Sequence, residues 1–100
     1  MATLFRANGE VETFPDPGNG RDYSLWELRS AIGDGYIEIV YLHTGELMII
    51  DEEAKLKGLP VNRIATALYR GYGGALTRIN PIHYDHICGD ALVIKANQIT

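Results

Sequence analysis

Apolar positions along the chain fall into short runs with two different periods. Ala2 to Ala7 and Glu10-Val11-Glu12-Thr13-Phe14 flank Asn8-Gly9, the dipeptide suited to the positive φ angles of a two-residue hairpin turn, so two antiparallel strands are predicted. Pro15-Asp16-Pro17-Gly18-Asn19-Gly20 can neither continue a strand nor start a helix and reads as a loop. Ser24-Leu25-Trp26-Glu27 has the form of a capping box. Leu25, Leu28 and Ile32 follow at helical spacing and Gly33 stands where a helix ends, which predicts a first helix. Tyr36 to Leu42 and Leu47 to Ile50 are rich in β-branched and aromatic residues and are joined by His43-Thr44-Gly45-Glu46, a second hairpin. Both of its strands are apolar on both faces. They are therefore expected to be central, with helix on one side and a further cover, such as a second subunit, on the other.

Asn62 to Arg70 predicts a second helix, with Asn62 as N-cap, Gly71 as terminator and Ile64, Ala65, Ala67 and Leu68 facing the core. Tyr72-Gly73-Gly74 reads as a connection. A final strand is expected over His86 to Lys95, with a bulge or turn at Gly89-Asp90. Strands and helices do not alternate as they do in a parallel sheet. The expected fold is α+β: a mainly antiparallel sheet of about five strands with two helices packed on one face, forming a single domain over residues 1–100. On this reading Trp26, Tyr36 and Tyr41 are core or interface residues, because their neighbours are apolar.

Composition narrows the function classes. One hundred residues, 46% of them hydrophobic, support one core. The apolar runs are far shorter than the ~20 residues that span a bilayer, and no signal segment opens the chain, so a cytoplasmic protein without membrane association is expected. Cys88 is the only cysteine, which excludes an internal disulfide and a cysteine-only zinc site. A net charge of −4 argues against a polymeric nucleic acid as partner. The charge is also unevenly placed. From Ala54 to Tyr84 there is no Asp or Glu, yet Lys55, Lys57, Arg63, Arg70 and Arg78 give +5 and leave −9 for the rest.

The second helix gathers the strongest candidate site. Arg63, Thr66 and Arg70 share one helical face, and Asn62, Thr66 and Tyr69 share an adjoining stripe. A helix start offers unpaired N–H groups and partial positive charge, and an arginine there adds a bidentate anion clamp. Tyr69 and Tyr72 could stack on or cap a base. The candidate ligand-binding residues are thus Asn62, Arg63, Thr66, Tyr69, Arg70 and Tyr72; Arg63 could instead pair with Asp51, Glu52 or Glu53. Those three carboxylates could coordinate Mg²⁺, although a solvated turn is the commoner role for such a trio. His83 and His86 would point to opposite faces of a strand, which disfavours a zinc or catalytic site. No nucleophile motif is present, and Asp90 beside Gly89 reads as a turn-stabilising residue. No cofactor is expected.

The segment from Asp51 to Tyr69 (DEEAKLKGLPVNRIATALY), together with Gly35-Tyr36-Ile37-Glu38 and Gly89-Asp90-Ala91-Leu92, resembles a small-domain family found in phages and other mobile elements. Small phage proteins of this kind include sponges that sequester nucleotide immune signals of the bacterial host, of the cyclic ADP-ribose or cyclic-dinucleotide type. The resemblance implies a non-catalytic protein that binds a small anionic nucleotide. A nucleotide pocket of several hundred Å³ could not be hollowed from so small a core, so it is expected at the boundary of a two-fold homodimer. Two other classes stay open: an interaction protein that inhibits a host enzyme, and a metal-dependent phosphoesterase using Asp51, Glu52 or Glu53.

Overall fold

The computed structural model describes residues 2–33, 35–70 and 86–99. Its strands are β1 (Ala2–Phe5), β2 (Val11–Phe14), β3 (Ile37–Tyr41), β4 (Leu47–Asp51) and β5 (Ala91–Ile94), with helix α1 at Leu25–Ile32 and helix α2 over residues 63–70. The strands form one open antiparallel sheet in the order β2-β1-β5-β4-β3. The fold is α+β, as the element order implies.

Both hairpins close in the same way. In β1–β2, Arg6 N–H donates to Glu10 C=O (2.8 Å) and Gly9 N–H to Arg6 C=O (3.0 Å). In β3–β4, Leu42 N–H donates to Glu46 C=O (3.0 Å) and Gly45 N–H to Leu42 C=O (3.0 Å). Each loop is thus three residues long, with its glycine in the left-handed region at φ 97° and 93°. The first turn differs from the expected two-residue Asn-Gly turn: Asn8 instead uses its side chain, which accepts from Glu10 N–H at 2.9 Å.

Helix α1 forms as its capping box dictates. Ser24 Oγ accepts from Glu27 N–H (3.1 Å), while the Glu27 carboxylate accepts from Ser24 N–H (2.8 Å) and from Gly18 N–H (2.9 Å). Those donors hold the Glu27 carboxyl below its ordinary range. The helix ends at Gly33, whose φ of 96° lets its N–H turn back to Arg29 C=O.

The two faces of the sheet carry two separate cores. Leu28, Ala31 and Ile32 of α1 pack with Ala2, Leu4, Leu47, Ile49, Leu92 and Ile94. Ala65 of α2, with Leu68 beside it, packs with Met48, Ile50, Ala91 and Val93. Alternation along β4 and β5 makes this unavoidable, because residues one apart point to opposite faces and every position of both strands is buried. The expectation that both helices lie on one face is therefore corrected: α1 and α2 sandwich the sheet. The second cover, for which a second subunit is one expectation, is the chain's own α2. Of the two strands expected to be central, β4 is central and β3 is an edge. Trp26, Tyr36 and Tyr41 lie outside both cores at 75%, 66% and 77% exposure.

Candidate functional site

The start of α2 is built into the scaffold. Asn62 is 1% exposed. Its Oδ1 accepts from Ala65 N–H (3.0 Å), the expected N-cap, while Nδ2 donates to Phe5 C=O (2.8 Å) and Gly89 C=O (2.9 Å). Its own N–H donates to Ile87 C=O at 2.7 Å. Thr66 Oγ1 donates to Asn62 C=O (2.7 Å) and accepts from Ile87 N–H (2.9 Å). One amide side chain and one hydroxyl thus join helix α2, the end of β1 and the segment before β5. Neither group is presented to a ligand, although both were candidate binding residues.

The remaining candidates separate along the helix. Arg63 is exposed at its first turn. Arg70 is seven residues on, about 10 Å along the axis, half-buried, with Nη2 3.1 Å from His86 Nδ1. The two guanidinium groups therefore do not form one clamp at the helix start. Because a guanidinium can only donate, Nδ1 is the acceptor and the ring proton of His86 sits on Nε2. Tyr72, Arg78, Gly73-Gly74 and His83 lie outside the described residues.

A cleft opens at the other end of the helix. Its volume is about 130 Å³, and Glu38 of β3, Ile50 of β4, Glu52, Lys55, Tyr69 of α2, His86 and Cys88 are among its lining residues. Four chain segments meet there. Tyr69 is placed by α2, itself fixed by the Asn62 and Thr66 bonds; His86 and Cys88 flank Ile87, which those same bonds hold. Lys55 belongs to the turn after β4. Of the predicted site residues, Tyr69 lines the cleft and Arg70 reaches it through His86.

In the sequence Lys55 stands out only for its charge and His86 only for a disfavoured zinc or catalytic role, and neither Glu38 nor Cys88 is a binding candidate. Glu38 was readable as the lone charge inside an apolar strand. The meeting of residues 38, 55, 69 and 86 depends on the sheet order and has no local signal.

The turn beside the cleft has its own internal electrostatics. Asp51 is 4% exposed; its Oδ2 accepts from Lys57 Nζ (2.7 Å) and its Oδ1 from Glu53 N–H (2.8 Å). Burial opposes ionisation there, but the ammonium and the N–H outweigh it and hold the carboxyl below its usual value. With Asp51 so committed, the Asp51-Glu52-Glu53 trio does not converge. Among the described residues no group of three or more His, Cys, Asp or Glu could hold a metal ion. Asp90 acts on the first hairpin rather than on its own turn: its Oδ1 accepts from Ala7 N–H (2.9 Å) and its Oδ2 from Arg6 Nη1 (3.0 Å). Arg6 also bonds Glu12 at 2.7 Å.

Fold and cleft together define a small α+β domain in which an open antiparallel sheet, covered on both faces, presents a polar cleft beside its second helix. The chain belongs to the family described as Domain of unknown function (DUF3846), whose model matches residues 8–99. No curated protein and no solved structure matches the chain. Among the described residues, no helix is long and apolar enough to cross a membrane.

Proposed function

We propose that this domain is a non-catalytic binding protein for a small phosphorylated nucleotide, and that the cleft at the end of α2 is where the ligand's polar groups are held. One observation carries the reading: Lys55, Tyr69 and His86, with Arg70 against His86, come from three separate chain segments to one concavity. Lys55 and Nε2–H of His86 supply donors for a phosphate. The carboxylates of Glu38 and Glu52 suit the hydroxyl donors of a ribose, as acidic residues do in other nucleotide sites. Tyr69 offers an aromatic face with a polar tip.

At about 130 Å³ the cleft holds a phosphate or part of a sugar, not a whole nucleotide, so the remainder of the ligand lies beyond it. Sequestration of a nucleotide immune signal, of cyclic ADP-ribose or cyclic-dinucleotide type, is the role we attach to such binding in a phage setting. It rests on the resemblance of residues 51–69.

Equilibrium binding to cyclic ADP-ribose and to cyclic dinucleotides, followed by heat denaturation and mass spectrometry of the released molecule, tests the reading. Binding and recovery of an intact nucleotide are expected. A charge-assisted contact is worth about 1.5–3 kcal/mol, so Lys55→Ala should weaken binding at least about tenfold. Because Lys55 is exposed, its melting temperature should stay near that of the parent. Absence of binding at millimolar nucleotide overturns the proposal, and conversion of the nucleotide would make the protein an enzyme.

A further inference from the structure

An open sheet has two edges, and here they differ. β2 contains Glu12 and is preceded by Glu10, and Pro15 and Pro17 follow it, features that discourage strand addition. β3 has no proline, no lysine and no bulge: its register with β4 runs unbroken from Ile37↔Asp51 to Tyr41↔Leu47. The bonds from Glu52 N–H to Tyr36 C=O and from Leu42 N–H to Glu46 C=O fix which residues of β3 face β4. They are the even-numbered ones. The N–H and C=O groups of Ile37, Ile39 and Tyr41 therefore point away from β4, along an edge that no other described strand pairs with.

We propose that β3 pairs antiparallel with β3 of a second copy of this chain, about a two-fold axis through Ile39, making one continuous sheet. The register follows from the sequence. With the axis at Ile39, Ile37 faces the partner subunit's Tyr41 and Ile39 faces the partner subunit's Ile39, so every outward N–H and C=O of the strand finds a partner. Glu38 faces the partner subunit's Val40. Moving the axis to residue 38 would set Glu38 against the partner subunit's Glu38, a like-charge pair that is destabilising when directly opposed.

The second observation is a groove of about 200 Å³ on the α1 face, lined by Leu25, Leu28, Ile37 and Ile39 together with Tyr23 and Ile99. Tyr41 lies on that same face, 77% exposed. The Ile39-centred register delivers the partner subunit's Tyr41 beside Ile37, at the rim of this groove. Pairing thus covers an aromatic ring and an apolar depression at once. Glu38 also lines the cleft on the α2 face, so the two copies' clefts flank the same seam. The dimer is inferred independently of what the cleft binds.

Sedimentation velocity of the full chain from about 1 µM to about 500 µM tests the pairing, since this range brackets the affinity of a modest interface. A reversible dimer is expected. Val40→Glu sets like charges opposite Glu38 on both sides of the axis and should weaken the dimer about tenfold, whereas Val40→Lys should hold or tighten it. Tyr41→Ser, at a position exposed in the single chain, should weaken it without unfolding. Circular dichroism of each variant separates loss of pairing from loss of fold, and Tyr41→Ser remains decisive if a Val40 variant does not fold. A monomer over the whole range overturns the proposal, as would an edge that accepts only an extended peptide of another protein. A dimer that responds alike to the two Val40 charges, or not at all to Tyr41→Ser, overturns the register.

Discussion

At Gly35 a methyl group would meet Asp51 Oδ2 at 2.5 Å and Cγ at 2.7 Å. The glycine is required there for space: its backbone is not left-handed, but the buried carboxylate of Asp51 packs against its Cα. Gly35→Ala must push Asp51 off Lys57 or break the start of β3, and should cost about 2–3 kcal/mol in urea denaturation. Lys57→Met acts on the same carboxylate from the other side. Asp51 has a lowered pKa when folded, so its stabilising contribution is complete above the unfolded value of about 4 and disappears as pH falls through the folded value. Without the ammonium, burial prevails and the sign reverses. Lys57 is 42% exposed, so the loss in Lys57→Met at neutral pH should be modest, about 1–2 kcal/mol. Its stability should then fall less steeply than the parent's below pH ~4. A parallel fall in both proteins would assign the acid sensitivity to Glu12 and Glu27, whose carboxyls are also lowered.

Helix α2 shows how far an element can be read without its surroundings. Asn62 was legible as an N-cap, since Asn before a helical run is a local signal, and the 3.0 Å bond to Ala65 N–H confirms it. Its two other bonds, to Phe5 and Gly89, join residues 57 and 27 positions away and have no sequence signature. The amide is thus a cap and a clamp at once, which is why polar residues that resembled a phosphate site are sealed inside. Asn62→Ala removes both functions and takes a donor from two carbonyls, the bond to Gly89 buried and that to Phe5 partly so; a cost of about 3 kcal/mol is expected. Asn62→Asp keeps the cap acceptor but sets a buried carboxylate against those carbonyls, so it should be no more stable than alanine. Urea titrations with unchanged slopes would report these costs as stability. If Asn62→Asp instead recovers most of the loss, the cap dominates and the clamp is minor.

For the molecule as a whole, the arrangement of layers was the hardest thing to read. Leu47-Met48-Ile49-Ile50 announces a strand buried on both faces, but periodicity cannot say what covers each face. Helix α1 is amphipathic and evident; α2 presents a thin apolar strip of Ala65 and Leu68, with Ile64 38% exposed and Ala67 exposed, so it did not announce itself as the cover of a whole face. The order β2-β1-β5-β4-β3 leaves the first hairpin and the second on either side of β5, and that insertion joins them into one five-stranded sheet. The two-sided arrangement makes an energetic prediction that a one-sided one does not. Leu28, 2% exposed beneath α1, and Leu68, half-buried beneath α2, touch different clusters separated by the sheet. Leu28→Ala should cost about 2–5 kcal/mol and Leu68→Ala less, because its site is only partly buried. With the sheet between them, the double mutant should lose the sum of the two within about 0.5 kcal/mol. Helices sharing one face would bring these side chains into a common core, and the double mutant would then depart from additivity by about 1 kcal/mol or more.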